Sequence, residues 1–551
     1  MAVKKPVKLK FGSKGTKVKN ANSYAQKEEP PGEEKCSLGL SSSLEENLGH
    51  LREIFAKSTD IIFRDFTIGR WGRLRAAVVY VDGLINITDV NENLLKAVML
   101  EMPMAGNDQD LTKLDVLQKI KDSAFPLSQV KEATLIEQVV DAILSGDTAF
   151  LLDGYSTALL VGARGWETRS LDEPATESVV RGPREGFVET LRINTSLIRR
   201  KIKSSDLKIE MMKLGRATQT DIGIAYMENL ATQELVSEVK KRLQQIDTDS
   251  ILESGYLEEF IEDNPYSLFS QVNRTERPDK VAAGLLEGRI AILVDGTPFA
   301  LIVPALFIEF LQASEDYYER YMISSFVRLL RYAAFMVSLL LPSLYIAITT
   351  FHQEMLPTDL LLSIAAQREG VPFPAFVEAL LMEISFEALR EAGIRLPRPI
   401  GQAVSIVGAL VIGEASVSAG IVSPAMVIIV AVTGISSFIV PNYAMAISMR
   451  LLRFALMILA ASLGLFGIMA GLIAIVIHLA TLRSFGMPYL SPIVPTHPAA
   501  WKDTVIRTPW WTMLTRPPLI KKGNLHRQRP YTRRWPGQEQ GGEANGRKNK
   551  N

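Results

Sequence analysis

Residues 147–162, DTAFLLDGYSTALLVG, and residues 289–304, RIAILVDGTPFALIVP, decide the fold of the first half of the chain. The two stretches lie 142 positions apart and are identical at seven of sixteen positions. Each has an apolar run, then Asp-Gly, then a second apolar run. This pattern is typical of a β-hairpin, because Asp-Gly readily supplies the positive backbone angles that a tight turn needs. The repetition predicts an α/β domain made of two similar subdomains.

The second copy sits in a stretch, residues 290–311, that is apolar enough to resemble a membrane helix. Asp295, Pro298 and Pro304 interrupt it, and the first copy lies among charged residues, so a buried hairpin is the better interpretation. Further strand-then-helix patterns at 76–85 and 221–246 predict α/β subdomains at 49–172 and 206–325. A linker at 173–205 would hold a helix from Pro183 to Lys203, with an apolar face and a charged face that includes Arg199.

Both ends of the chain are basic. Residues 1–36 contain nine Lys and four Glu with almost no apolar pattern, which predicts a disordered N-terminus over 1–48. Residues 484–551 contain twelve Lys or Arg against three acidic residues, a net charge of +9, which predicts a disordered basic tail from 486. The four Trp residues of this tail suit a membrane interface. The single Cys36 excludes an internal disulfide, and no apolar run opens the chain, so no secretory signal is expected.

Residues 326–485 are much more apolar and predict an all-α transmembrane bundle. Runs near the ~20 residues that a spanning helix needs occur at about 326–351, 400–421, 424–446 and 454–480, which gives about four spans, with five or six as alternative counts. Four spans put both termini on one side, and an unsignalled domain of this size indicates the cytoplasm. The segment 352–399, with Glu383, Glu387 and Glu391 on one helical face, would form an interfacial collar or pack on the bundle.

Glu414 is the one acidic residue deep in the apolar half, where a carboxylate is costly unless it meets water or a partner. Helical spacing places it on a face with Val407, Val411 and Ser418. If this face lines a pore, the valines would form an apolar gate and Glu414 would attract cations. The alternative is a neutral, hydrogen-bonded glutamic acid between helices. Small residues predict close helix packing; they are Gly401, Ser405, Gly408, Gly467 and Gly471.

No motif predicts an enzyme, a cofactor or a metal site, because the five His residues are scattered and no nucleophile or phosphate-binding motif is present. Arg181, Gly182, Pro183 and Arg184 form either an anion or subunit interface or simply a turn. The basic ends lack a folded nucleic-acid reader, so attraction to anionic lipid is expected instead of nucleic-acid binding.

Residues 170–202, SLDEPATESVVRGPREGFVETLRINTSLIRRKI, resemble the signature region of the A subunits of GerA-type spore germinant receptors. The similarity continues through residues 295–307, 397–413 and 441–454. It implies a homo-oligomeric subunit of the spore inner membrane that acts with a transporter-like B subunit and a lipoprotein C subunit in nutrient sensing, and that forms a ligand-gated cation channel.

Family members often carry an amide at the position of Glu414, so the carboxylate here would alter ion preference. An accessory germination protein, or a solute transport component that does not conduct alone, stays an open alternative.

Overall fold

The computed structural model describes residues 38–68, 74–91, 130–165, 173–174, 176–494, 500–516 and 526–528. Most of the N-terminus predicted to be disordered therefore lies outside the described residues. Its end is helical, because α1 spans Leu44–Ile54 and packs Leu44, Leu48 and Leu51 into a core. The predicted boundary at residue 49 falls inside this helix, so subdomain 1 begins before it.

Subdomain 1 is an antiparallel sheet with α1 and α2 (Ile136–Leu144) on one face. Alternation of side chains along a strand explains both faces: Ala77 and Val79 pack against the helices, whereas Val78 and Tyr80 belong to the core of the opposite face. The strands lie in the order β1-β2-β4-β5-β3; they are β1 (Ile61–Ile68), β2 (Leu74–Val81), β3 (Val130–Ala133), β4 (Thr148–Leu152) and β5 (Ala158–Val161).

Subdomain 2 repeats this sheet with the strand order β6-β7-β9-β10-β8. The shared order agrees with the predicted duplication. The ambiguous stretch 290–311 is the hairpin β9-β10 followed by a 3-10 turn, Phe307–Leu311, and is not a membrane helix. The elements are α3 (Leu191–Lys201), β6 (Leu207–Leu214), β7 (Thr220–Met227), α4 (Gln233–Gln244), α5 (Ser254–Ile261), β8 (Asn273–Thr275), α6 (Pro278–Leu286), β9 (Ile290–Val294) and β10 (Ala300–Val303).

The two Asp-Gly turns have the same structural role in both subdomains. Gly154 and Gly296 have φ angles of 85° and 89°, which glycine adopts without strain. The Asp153 carboxylate accepts a hydrogen bond from the Leu44 amide at 3.1 Å, and Asp295 accepts one from the Leu191 amide at 2.9 Å. Each aspartate thereby satisfies a free N–H at the start of a helix.

The predicted linker helix is therefore an element of subdomain 2. It begins at Leu191 instead of Pro183, and it corresponds to α1 at an offset of 147 positions. The Asn194 side chain accepts a hydrogen bond from the Val188 amide and donates one to the Val188 carbonyl. Asn47 makes the same two bonds with the backbone of Ser41. The predicted linker thus contains the first helix of the second repeat.

Arg199 of α3, predicted on the charged face, is buried between the two subdomains. Its Nε donates to Asp60 Oδ2 at 2.7 Å and its Nη2 donates to Asp60 Oδ1 at 3.0 Å. Asp60 precedes β1, so this bidentate pair joins the first helix of one repeat to the first strand of the other. Lys208 adds a bond to the Ile54 carbonyl at 2.8 Å across the same interface.

The helical half begins at α7 and directly follows subdomain 2. Ser423, at the start of α11, bonds to Glu378 near the start of α9, and Ser437, near the end of α11, bonds to Arg390 near the end of α9. These two helices are therefore parallel, and α10, which connects them in the chain, runs in the opposite direction. The helices are α7 (Tyr321–Phe351), α8 (Thr358–Arg368), α9 (Ala375–Arg395), α10 (Arg398–Ser418), α11 (Pro424–Ile439) and α12 (Tyr443–Thr481).

Helix α12 is folded back on itself at Gly464, which has φ 62° and ψ −139°. Ser448 and His478, near its two ends, bond to neighbouring residues of one loop, Leu268 and Ser267. A Cβ on Gly471 would lie 2.5 Å from Leu456 Cδ2, whereas a straight helix would separate these positions by about 22 Å. The helix therefore consists of two antiparallel arms, 443–463 and 465–481.

The hairpin changes the predicted span count. The span predicted at 454–480 is divided at Gly464, and the span predicted at 424–446 ends with α11 at Ile439. The long segments α7, α9, α10, α11 and the two arms of α12 make six antiparallel passes where about four spans were predicted. Because the number of passes is even, both ends of the bundle lie at the side of subdomain 2.

Among the described residues, α7 and α12 are long and apolar enough to cross a membrane by length and composition, and α11 is a shorter apolar helix. The arms of α12 would extend about 31 and 26 Å, close to the ~30 Å of a bilayer core. These helices favour a membrane-associated bundle.

Helix α9 lies inside the bundle and contacts α7, α10, α11 and α12. The interfacial collar predicted for 352–399 is therefore wrong for this helix, and the packed alternative holds. Glu378 and Glu383 are buried, because basic and hydroxyl groups on neighbouring helices pair with them.

The basic charge of the chain after α12 predicted disorder. Part of this segment is ordered instead. Two short strands, β11 (Arg483–Ser484) and β12 (Met487–Pro488), and two 3-10 turns, Ala500–Asp503 and Trp510–Thr512, pack on subdomain 2 and α7. Buried Tyr489 donates to the Ser270 carbonyl at 2.8 Å. The predictions for residues 529–551 lie outside the described residues.

Candidate functional site

Helix α10, which carries the predicted pore face, lies at the edge of the bundle against α9. A Cβ on Gly401 would approach the Gly393 carbonyl oxygen to 2.5 Å, and one on Gly408 would approach Leu389 Cδ2 to 2.5 Å. Both glycines thus stand where small residues allow helices to approach closely. The side chain of Ser405 lies outside the described residues.

The predicted pore residues are placed away from this contact. Val411, Glu414 and Ser418 are all exposed on the single chain, and the side chain of Val407 lies outside the described residues. Glu414 is therefore not the buried, hydrogen-bonded glutamic acid of the alternative prediction, at least within one chain. The exposed face joins an apolar surface, since Leu410 is exposed as well.

Gly467 and Gly471 pack within α12 instead of against a different helix. A Cβ on Gly467 would lie 2.2 Å from the Leu459 carbonyl oxygen, and Gly471 faces Leu456 on the opposite arm. The small residues therefore permit the two arms to lie side by side.

A row of charged residues, here called the charged seam, runs between α9 and α12. Glu383 Oε2 pairs with Arg453 Nη2 at 3.0 Å, and both side chains are almost completely buried. Glu387 pairs with Arg450, and Arg390 donates to Ser437 Oγ at 2.7 Å. Arg453 Nε and Nη1 and Glu383 Oε1 have no hydrogen-bond partner among the described residues. The seam is therefore a buried polar cluster between these helices.

The charged seam was not predicted from the sequence, which placed Glu383 and Glu387 on one face of a helix that was either interfacial or packed on the bundle. A usable signal was present: two acids four residues apart and two arginines three residues apart share one helical face each. Nothing local in either helix indicates that the two faces meet.

A second buried cluster joins subdomain 2 to α7. Asp316 accepts hydrogen bonds from Arg328 Nε at 3.1 Å and from Arg331 Nη1 and Nη2 at 3.0 and 3.2 Å. Arg331 also donates to the Leu311 carbonyl at 2.9 Å. All three charged side chains are buried, so Arg328 and Arg331 are structural groups at the junction.

The C-terminal segment completes this cluster. Arg328 Nη1 donates to Asp503 Oδ1 at 3.0 Å, and the Tyr317 hydroxyl donates to Asp503 Oδ2 at 2.7 Å. Burial raises the pKa of the Asp503 carboxyl, and the nearby Arg328 guanidinium opposes that rise. Trp510 and Trp511 are half exposed and stack near Tyr317 and Tyr321 at the start of α7, a position that suits the predicted interfacial role.

Residues 181–184 form a turn against subdomain 2. Gly182 has φ 141°, and a Cβ there would lie 2.7 Å from the Tyr318 ring, so glycine is required. The Pro183 carbonyl accepts a bond from Arg277 Nη2 at 2.9 Å. Arg181 and Arg184 are exposed, and Arg181 reaches Glu319 at 3.8 Å. The geometry favours the turn over the anion-binding alternative.

A duplicated α/β domain is followed by a bundle in which α7 and α12 are long and apolar enough to cross a membrane, which favours membrane association. The family profile described as Bacillus/Clostridium GerA spore germination protein matches residues 49–519. The chain belongs to the GerA family.

Three relatives and one solved structure illustrate the similarity. Spore germination protein KA of Bacillus subtilis is 48% identical over 489 residues, which are 89% of each chain. The Bacillus subtilis protein named uncharacterized membrane protein YfkQ is 48% identical over 485 residues, 88% of this chain and 93% of the relative. Spore germination protein GerLA of Bacillus cereus is 40% identical over 484 residues, which are 88% of this chain and 97% of the relative. The N-terminal domain of the A subunit of the Bacillus megaterium spore germinant receptor GerK3 is 38% identical, with a TM-score of 0.40, and the match covers 49% of this chain and 98% of that chain.

Proposed function

We propose that this chain is the A subunit of a nutrient germinant receptor in the spore inner membrane, needed to trigger germination. Family membership supports the germination role, because proteins named for spore germination align with most of the chain. The receptor acts through binding and gating and not through catalysis. Its partners are a transporter-like B subunit, a lipoprotein C subunit, membrane lipid and further copies of the chain.

Several copies form a ligand-gated cation channel in this proposal, and the exposure of Glu414 is the observation that carries it. A carboxylate on the lipid-facing surface of a bundle costs several kcal/mol. This cost is avoided if neighbouring copies enclose the exposed face of Val411, Glu414 and Ser418 around water. The partly unpartnered charged seam on the adjacent helix supports a hydrated interior near α10.

Both termini lie in the cytoplasm in this proposal, and the even number of passes supports their position on one side of the membrane. Subdomain 2 and the segment after α12 contact each other, as in the bond from the Ala305 amide to Ser484 Oγ at 3.0 Å. Both ends of the bundle would then lie on the side of the α/β domain.

The test is nutrient-triggered cation release from liposomes that hold the full chain with its B and C partners. Glu414→Gln should change the release rate and the cation selectivity, because it removes the charge that attracts cations. Glu391→Gln is the matched control, since Glu391 is an exposed glutamate on α9 that pairs with exposed Arg395 at 2.6 Å. It should leave both quantities unchanged.

Unchanged rate and selectivity in Glu414→Gln would remove this face from the pore. A chain that stays monomeric in membranes and passes no ions, even with its partners, would favour the accessory or solute-transport alternative.

A further inference from the structure

Subdomain 2 carries exposed apolar side chains on the segment that faces the bundle. Phe260, Tyr266 and Leu268 are large and exposed, and Tyr266 is 96% exposed. We call these three residues the apolar tip. Their neighbours hold the segment in place, because Leu257 and Ile261 of α5 are buried in the core of subdomain 2 and Phe269 is buried against the bundle.

The apolar tip is fixed to both arms of α12. Ser448 Oγ of the first arm donates to the Leu268 carbonyl. Ser267 Oγ lies 2.9 Å from His478 Nε2 of the second arm. The loop therefore rests on two antiparallel helices at once, and its height along them is set by these two contacts.

That height lies in the first turns of the exposed apolar surface of the bundle, which begins at Tyr443 on the first arm. Ser448 lies about 7–8 Å inside the first residue of its arm, since a helix rises ~1.5 Å per residue. Leu451 in the next turn is exposed, and so is Ile477 beside His478. Side chains at this level face the boundary between the hydrocarbon and the headgroups if the bundle spans a membrane.

We propose that the apolar tip inserts into the interfacial layer of the bilayer and so fixes subdomain 2 at the membrane surface. The inference rests on the proposed membrane placement of the bundle. Tyr and Phe are favoured at this depth because an aromatic ring is apolar and a hydroxyl can reach water. The tip itself has no basic residue, and Glu259 beside it is an exposed acid, so the proposal needs no anionic lipid and zwitterionic lipid suffices.

An exposed apolar residue just before α5 provides a control. Leu252, two residues before α5, is 62% exposed, but it belongs to the opposite end of the subdomain. Thr220 Oγ1 donates to the Ile251 carbonyl at 2.7 Å, and Thr297 Oγ1, beside the hairpin turn, donates to Glu253 at 3.2 Å. Leu252 is thus an exposed apolar residue that the proposal leaves in water.

The test uses the full chain in phosphatidylcholine nanodiscs, with Cys36→Ser to remove the single native cysteine. A nitroxide is attached to Tyr266→Cys, Leu252→Cys or Ile435→Cys, and its collisions with oxygen and with a water-soluble nickel chelate are measured. Oxygen should dominate at 266, and the chelate should dominate at 252. The exposure of Tyr266 makes a folding defect in the labelled chain unexpected.

Equal access of the chelate to 266 and 252 would contradict the proposal. Protection of 266 from both reagents would also contradict it, because it would show that another protein surface covers the apolar tip. The label at Ile435, which is exposed on α11, distinguishes a failure of the apolar-tip proposal from a failure of the proposed membrane placement of the bundle. Oxygen dominance at 435 without it at 266 rejects the apolar tip alone. Chelate access at 435 rejects the membrane placement of the bundle.

Discussion

The two α/β subdomains place an arginine at the same position of their first helix, yet the two arginines have different surroundings. Arg52 of α1 is half exposed and pairs with Asp65 at 3.2 Å within subdomain 1. Arg199 of α3 is fully buried and pairs with Asp60 of the other subdomain. Duplication explains why the fold occurs twice, whereas burial of one arginine explains how the copies are joined.

Subdomain 2 is also the copy that contacts the bundle. Its continuation contributes Asp316 to the junction with α7, and its loop at Ser267 and Leu268 meets both arms of α12. These contacts connect the described part of subdomain 1 to the helices by way of subdomain 2.

Arg199→Met should have the largest effect, about 3–5 kcal/mol, because it leaves the Asp60 carboxylate buried without its partner. The free energy of opening should be measured by hydrogen exchange at strand amides of both subdomains. Arg52→Met is the matched control and should cost at most about 1 kcal/mol, as expected for an exposed pair.

Adding Asp60→Asn to Arg199→Met should recover part of the loss, since no unpaired charge remains. Equal costs for Arg52→Met and Arg199→Met would contradict the difference between the two interfaces.

Asp316→Asn should destabilise the junction by about 2–3 kcal/mol, because charge-assisted bonds from two buried arginines are lost. Faster exchange is expected at the first turns of α7 and in subdomain 2, with subdomain 1 unchanged. Asp65→Asn serves as the surface control. Loosening of subdomain 1 to the same degree would show that the junction does not belong to subdomain 2 alone.

Asp153→Ala and Asp295→Ala should each cost about 1 kcal/mol, since each removes the acceptor for an amide at a helix start. This pair tests the similarity of the repeats instead of their difference. Thermal unfolding of both variants should show shifts of similar size. A shift confined to one variant would mean that the turns are not equivalent.

Glu262 should make subdomain 2 sensitive to pH, because burial raises the pKa of its carboxyl to about 7. The folded state holds its proton more tightly than the unfolded state, so stability falls as pH rises from about 4.5 through 7. Glu262→Gln should therefore gain thermal stability relative to wild type at pH 8 and lose that gain at pH 4. Exposed Glu259→Gln should behave like wild type, and an identical profile in Glu262→Gln would contradict the assignment.

The hairpins were predictable because their signal is local: Asp-Gly between two apolar runs specifies a turn without reference to the rest of the chain. The membership of α3 was not found, although Leu44, Asn47 and Arg52 recur as Leu191, Asn194 and Arg199. Three matches in a helix are too sparse to outweigh a charged pattern that reads as a solvated linker. The burial of Arg199 depends on Asp60, 139 residues away.

The bundle was predicted less well, because hydropathy measures composition and not direction. The apolar run through Gly464 reads as one span, and only contact between Leu456 and Gly471 reveals two. The sequence left helix α9 either interfacial or packed on the bundle, and the pairing of Arg453 with Glu383 inside the bundle decides for packing. Glu414 stood out because it has no basic residue within a helical turn, and the structure leaves it exposed.

The central claim is that six antiparallel passes support subdomain 2, with the last two folded at Gly464. The most direct measurement is disulfide formation in membranes between Leu456→Cys and Gly471→Cys in a full chain that also carries Cys36→Ser. Mild oxidation should link them within one chain, whereas the pair Leu456→Cys and Ile473→Cys should stay reduced because Ile473 is exposed. Failure of the first pair to link, or links only between chains, would contradict the hairpin and restore a single continuous helix.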